Sequence, residues 1–122
     1  MGYDFHITRA QNWCEIGEGE AIRAEEWLKY VENDPELKLA GYNGAYFALW
    51  SGKSGSAESW FDWSDGEVNT KNPDPAVIAK AIKIAADLGA RVQGDEGEIY
   101  QPDGTIERDG EVITGLDWRT RK

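Results

Sequence analysis

Ser59-Trp60-Phe61-Asp62-Trp63-Ser64-Asp65-Gly66-Glu67-Val68-Asn69-Thr70-Lys71, followed three residues later by Pro75 to Gly89, decides the fold. Asp65-Gly66 between two β-prone runs is a strong hairpin signal, because both central positions of that tight turn need a positive φ. Downstream, Val77, Ile78, Ala81, Ile82, Ala85 and Leu88 recur at helical spacing and form one apolar stripe. Asp74 stands at the N-cap, Pro75 at the first helical position and Gly89 just past the last turn. Lys80, Lys83 and Asp87 fall on the side expected to face water. A hairpin feeding an amphipathic helix predicts antiparallel strands beneath a helical layer.

The flanking segments extend this pattern. Tyr3 to Arg9 alternates, with Tyr3, Phe5 and Ile7 on one face and Asp4, His6 and Thr8 on the other, as in a half-buried strand. Residues 10–21 show no period and read as a loop. Arg23 to Glu32 reads as a helix with Trp27, Leu28 and Val31 on one face, a poor N-cap at Arg23, and a favourable Glu25–Lys29 pair. Residues 36–39 and 46–50 read as strands, as do Ala90 to Gln93 and Glu98 to Gln101. Asp103-Gly104 and Asp109-Gly110 mark the turns of a short meander. The expected architecture is α+β: a mainly antiparallel sheet of about five to seven strands with two helices packed on it. Residues 1–115 form one domain and 116–122 a basic C-terminal tail, loose over Arg119 to Lys122.

Charge narrows the function classes. The 122 residues hold 13 Lys and Arg against 23 Asp and Glu, a formal net charge of −10. Such a balance repels nucleic acid and anionic membranes and favours a basic partner. Residues 15–36 hold eight acids against Arg23 and Lys29, and residues 95–111 hold seven against Arg108, so each stretch carries −6. No stretch approaches the roughly 18 apolar residues that span a bilayer. The N-terminal residues lack the basic and apolar regions of a signal peptide. One cysteine, Cys14, cannot close an internal disulfide, so a reducing cytoplasm is the expected compartment.

Catalytic chemistry finds little support. His6 is the only histidine and reads as a polar-face side chain. One His and one Cys cannot build a zinc site by themselves. Asp95-Glu96-Gly97-Glu98 lacks the ligand alternation of a calcium loop, and the glycines spell no phosphate-binding motif. No catalytic residue, metal or cofactor is therefore expected. The candidate sites are for a partner. If Phe61 and Trp63 point to the core, Trp60 sits between Glu58 and Asp62 on the open side, as an aromatic hot spot ringed by acids. Asp95, Glu96 and Glu98 form a second acidic candidate. Trp27 reads as core, and Trp118 as a clamp on the tail.

The runs Tyr3-Asp4 through Ile7-Thr8-Arg9, Glu25-Glu26-Trp27-Leu28, Asn33-Asp34-Pro35-Glu36, Trp60-Phe61-Asp62, Lys71-Asn72-Pro73-Asp74 and Leu88-Gly89-Ala90-Arg91-Val92-Gln93-Gly94-Asp95-Glu96-Gly97-Glu98-Ile99-Tyr100 resemble a group of small, acidic, uncharacterised bacterial proteins. The likeness covers residues 3–100. That group is similar in type to the immunity proteins that neutralise polymorphic toxins. The resemblance implies an antitoxin-type inhibitor that binds a cognate toxin domain through its acidic surface, as a monomer or weak homodimer. The alternative is a small-ligand-binding housekeeping domain, since six Trp and five Tyr could line a pocket.

Overall fold

A computed structural model describes residues 4–10, 13, 16–17, 19–41, 44–51, 59–71, 75–94, 97–113 and 117–120. Nine strands appear among them: β1 (Asp4–Thr8), β2 (Leu37–Leu39), β3 (Phe47–Trp50), β4 (Ser59–Ser64), β5 (Glu67–Lys71), β6 (Arg91–Gly94), β7 (Ile99–Tyr100), β8 (Ile106–Arg108) and β9 (Glu111–Val112). Two α-helices, α1 (Ala24–Asn33) and α2 (Pro75–Leu88), separate β1 from β2 and β5 from β6. The strands form one sheet in the order β2-β3-β4-β5-β1-β6-β7-β8-β9, and each neighbouring pair is antiparallel. The α+β class agrees with the sequence. The strand number exceeds the expected five to seven, because the short meander after residue 98 continues the same sheet edge as β7, β8 and β9.

The β4–β5 hairpin turns at Asp65 and Gly66, with φ of 50° and 88°. Gly66 is required here for a second reason, since an added Cβ would lie 3.0 Å from that of Ala21. The Ile22 amide donates to the Gly66 carbonyl at 2.8 Å, so the chain entering α1 is tied to this turn.

Both helices cover one face. On that face Phe5, Ile7, Ala48, Phe61, Val68, Val92, Tyr100 and Ile106 pack into one core with Trp27 and Val31 of α1 and Val77, Ile78, Ala81, Ile84 and Ala85 of α2. The indole N–H of Trp27 donates to the Tyr46 carbonyl at 2.8 Å, and that of Trp63 to the Ile22 carbonyl at 2.7 Å. Buried indoles thus keep their polar atom satisfied.

Two local expectations change. Lys80 does not face water: it is 7% exposed, with Nζ 2.7 Å from Asp34 Oδ2 and 2.9 Å from Glu36 Oε1. The buried ammonium is compensated by carboxylates from the segment after α1. Burial pulls the Lys80 pKa down, but those two carboxylates outweigh it and raise it. Glu25 pairs with Arg23 at 2.9 Å. Trp118 is buried and its indole N–H donates to the Gln101 carbonyl, a contact of the clamping kind expected of it. The predicted N-cap Asp74 lies outside the described residues.

Arg9 joins these layers at the end of β1. Its Nε donates to the Leu88 carbonyl at the end of α2 at 2.9 Å, and Nη1 to the Ala21 carbonyl at 3.2 Å. Its two Nη atoms hold the Glu26 carboxylate at 3.0 and 2.6 Å. Glu26 in turn accepts from the Arg23 amide at 3.1 Å, which stands in for the missing N-cap side chain. Lysine cannot reproduce this fork. Arg9→Lys is predicted to cost about 1–3 kcal/mol, read as a lower urea midpoint with unchanged slope. Hydrogen bonds from Arg9 and from the Arg23 amide hold Glu26 at about 2, against an ordinary 4.5. A carboxylate whose pKa falls on folding stabilises the fold above its ordinary value and loses that contribution as pH falls through the folded one. Glu26→Gln should therefore flatten the loss of melting temperature between pH 4.5 and 2.

Candidate functional site

The register places a second set of side chains on the face away from the helices. One transverse row runs Phe47–Asp62–Asn69–His6–Gln93–Ile99–Glu107–Val112, because each is the direct partner of the next on adjacent strands. Directly opposed antiparallel residues share a face. This row crosses eight strands, from β3 to β9.

The middle of the row is covered. Trp13, in the loop after β1, stacks flat on His6 with ring centroids 3.8 Å apart and planes 3° apart. The Trp13 amide donates to Gln93 Oε1 at 2.8 Å. His6 and Gln93 are buried as a result, although they lie on the face that carries no helix. His6 Nδ1 is 2.5 Å from Glu67 Oε1. This His–carboxylate pair sits beneath an indole ring, and its geometry explains how a polar row tolerates burial.

The β3–β4–β5 end of the face is open. Trp60 and Phe47 are half-buried and stack at 5.2 Å with planes 27° apart. Leu49 is the direct partner of Trp60. Asp62 lies between Phe47 and Asn69 in the row and is half-buried. Burial pushes its carboxyl pKa up, against a smaller opposing effect of the Trp63 amide. Lys71 and Asp4 border the patch, 3.7 Å apart.

The candidate residues divide accordingly. Trp60 and Asp62 lie together on the open face, and Phe61 beside them is fully buried on the helix side. Glu58, Asp95 and Glu96 lie outside the described residues. Glu98 is 6% exposed and presents no open carboxylate. Its carboxylate folds over Gly94, where an added Cβ would lie 2.6 Å from it, and Tyr100 Oη donates to it at 3.2 Å. An exposed acidic turn was expected here; the close approach allowed by Gly94 takes Glu98 inward.

A separate cleft of about 420 Å³ opens between the end of α1 and α2. Tyr30, Asp34, Glu36, Lys80, Lys83 and Asp87 are among its lining residues. Tyr30 Oη donates to Asp87 Oδ2 at 2.7 Å; burial and that carboxylate push the Tyr30 pKa up. Among the described residues, no group of three or more His, Cys, Asp or Glu is placed to hold a metal ion. Among the described residues, no helix is long and apolar enough to cross a membrane.

Sequence reading missed Phe47, Leu49 and Asn69 as neighbours of Trp60 and Asp62. Asn69 was accessible, because the Asp65-Gly66 turn fixes Asp62 opposite it. The Trp13–His6 stack had no signal, since it depends on a loop without periodicity crossing the sheet.

Comparison with protein families, curated proteins and solved structures gives no match for this chain.

The single histidine makes the cover over the row testable. Trp13→Ala is predicted to speed acylation of His6 by diethyl pyrocarbonate at least tenfold, while the intact protein reacts slowly. Equal rates would show that Trp13 does not shield His6.

Proposed function

We propose that this chain is an inhibitor of the immunity type, which binds a basic bacterial toxin domain through the open end of its sheet around Trp60 and Asp62. One observation carries the reading. Asp62 is a half-buried carboxylate beside a stacked aromatic pair, with no cationic partner among the described residues. Removing a carboxylate from water without a counter-charge is unfavourable, and a basic partner supplies that charge. The net charge of −10 adds long-range attraction for the same partner. Glu58, Asp95 and Glu96 belong to the proposal as further acids whose reversal tests it. Glu98 is left out because it is buried.

A second reading, a small-ligand-binding domain, has the cleft beside Tyr30 as its site. That cleft is lined mainly by charged side chains, so it favours a polar ligand over the aromatic-stacked one first expected.

The test is co-expression with the C-terminal domain encoded by the neighbouring upstream gene. A tight complex that rescues growth supports inhibition; no complex and no rescue overturns it. Within such a complex, Asp62→Lys is predicted to slow association about tenfold at low salt. The deficit should shrink at high salt, as screening requires.

A further inference from the structure

Resting on the reading of the open face as a partner surface, we infer that the slot formed by Asp62, Trp60, Phe47 and Asn69 takes an arginine side chain of that partner. The argument starts from the four carboxylates that the register places on this face: Asp4, Asp62, Glu67 and Glu107. Three are answered within the chain. Glu67 meets His6, Asp4 lies near Lys71, and Glu107 accepts from the Gln101 side-chain amide. Asp62 has no side-chain partner among the described residues, yet it is half-buried.

What surrounds Asp62 selects the cation. Trp60 lies two residues before it on β4, so their side chains stand on the same face about 7 Å apart. Phe47 is directly opposite Asp62 and stacks on Trp60, giving a flat aromatic floor next to the carboxylate. Asn69, directly opposite Asp62 on β5, carries a side-chain amide on the same face. A planar guanidinium can lie on an aromatic face while its edge donates two parallel hydrogen bonds to a carboxylate. An ammonium is compact and strongly hydrated, and it cannot fill both roles at once. The slot therefore distinguishes arginine from lysine, which charge attraction alone does not.

The experiment uses the whole chain, labelled with nitrogen-15, and two blocked peptides, tri-arginine and tri-lysine. Chemical shifts of the Trp60 indole N–H and of the Asp62 and Asn69 amides are followed during titration. The expected result is a saturable shift at these positions with tri-arginine, and about fivefold weaker binding with tri-lysine. Asp62→Asn, an isosteric change at a half-buried position, should remove the preference. Trp60→Leu should weaken the arginine peptide while sparing the lysine peptide. Equal binding of the two peptides, no shift at Trp60, or a preference that survives Asp62→Asn would overturn the slot. A slot that binds arginine in a protein that forms no toxin complex overturns the inhibitor reading alone. A toxin complex whose affinity ignores Asp62→Asn overturns the slot alone.

Discussion

The guanidinium of Arg9 is the constraint on which the rest of the architecture depends. It stands at the end of β1, the strand that pairs with β5 on one side and β6 on the other. From there it reaches the last carbonyl of α2 and the first-turn carboxylate of α1. One side chain thereby fixes both helices against the same face of the central strand. Hydrogen bonds to a charged group are stronger than neutral ones, and four donors share the task. Both helices lie on one face, Trp13 after β1 lies across the other over His6, and the Ile22 amide is held by the Gly66 carbonyl.

That crossing divides the second face into unequal parts. Trp13 closes the centre over His6 and Gln93, while Phe47, Trp60 and Asp62 stay partly exposed. The polar middle of the row, Asp62–Asn69–His6–Gln93, would sit in water on an ordinary two-layer α+β domain. Here its centre is buried and hydrogen-bonded, and its end holds aromatic rings beside a carboxylate with no cationic partner among the described residues. The strongest acidic stretches of the sequence contribute less to a docking surface than their charge implies. Asp34 and Glu36 neutralise buried Lys80, Glu26 neutralises Arg9, and Glu98 turns inward. Asp62 differs from those runs because no cationic partner answers it among the described residues.

Local signals made the elements legible. The Asp65-Gly66 turn, the apolar stripe of α2 and the alternation of β1 each depend on residues close in sequence, and each appears where those signals place it. Trp27 and Phe61 were readable as core for the same reason. The failures have other causes. Lys80 looked solvent-facing by helical spacing, but Asp34 and Glu36, more than 40 residues away, draw it inside. The short strands β7 to β9 follow β6 in chain order through local hairpins, and the Asp103-Gly104 and Asp109-Gly110 turns signal them; their two- and three-residue lengths are too short for alternation to count. Trp60 and Asp62 were legible as a pair because one strand carries both. Phe47 comes from the next strand, and Trp13 from a loop, so the floor and the cover of the open face needed tertiary structure.

Hydroxyl-radical footprinting of the chain, free and mixed with the toxin domain proposed as its partner, tests the central claim most directly, since it reads side-chain exposure residue by residue. Oxidation of Trp60, Phe47 and Leu49 should fall together on binding, with Tyr30 in the helix cleft and Val112 on the far edge unchanged. Unchanged oxidation at Trp60 and Phe47, with protection at Tyr30 or Val112, would contradict the account and move the binding surface off the open face.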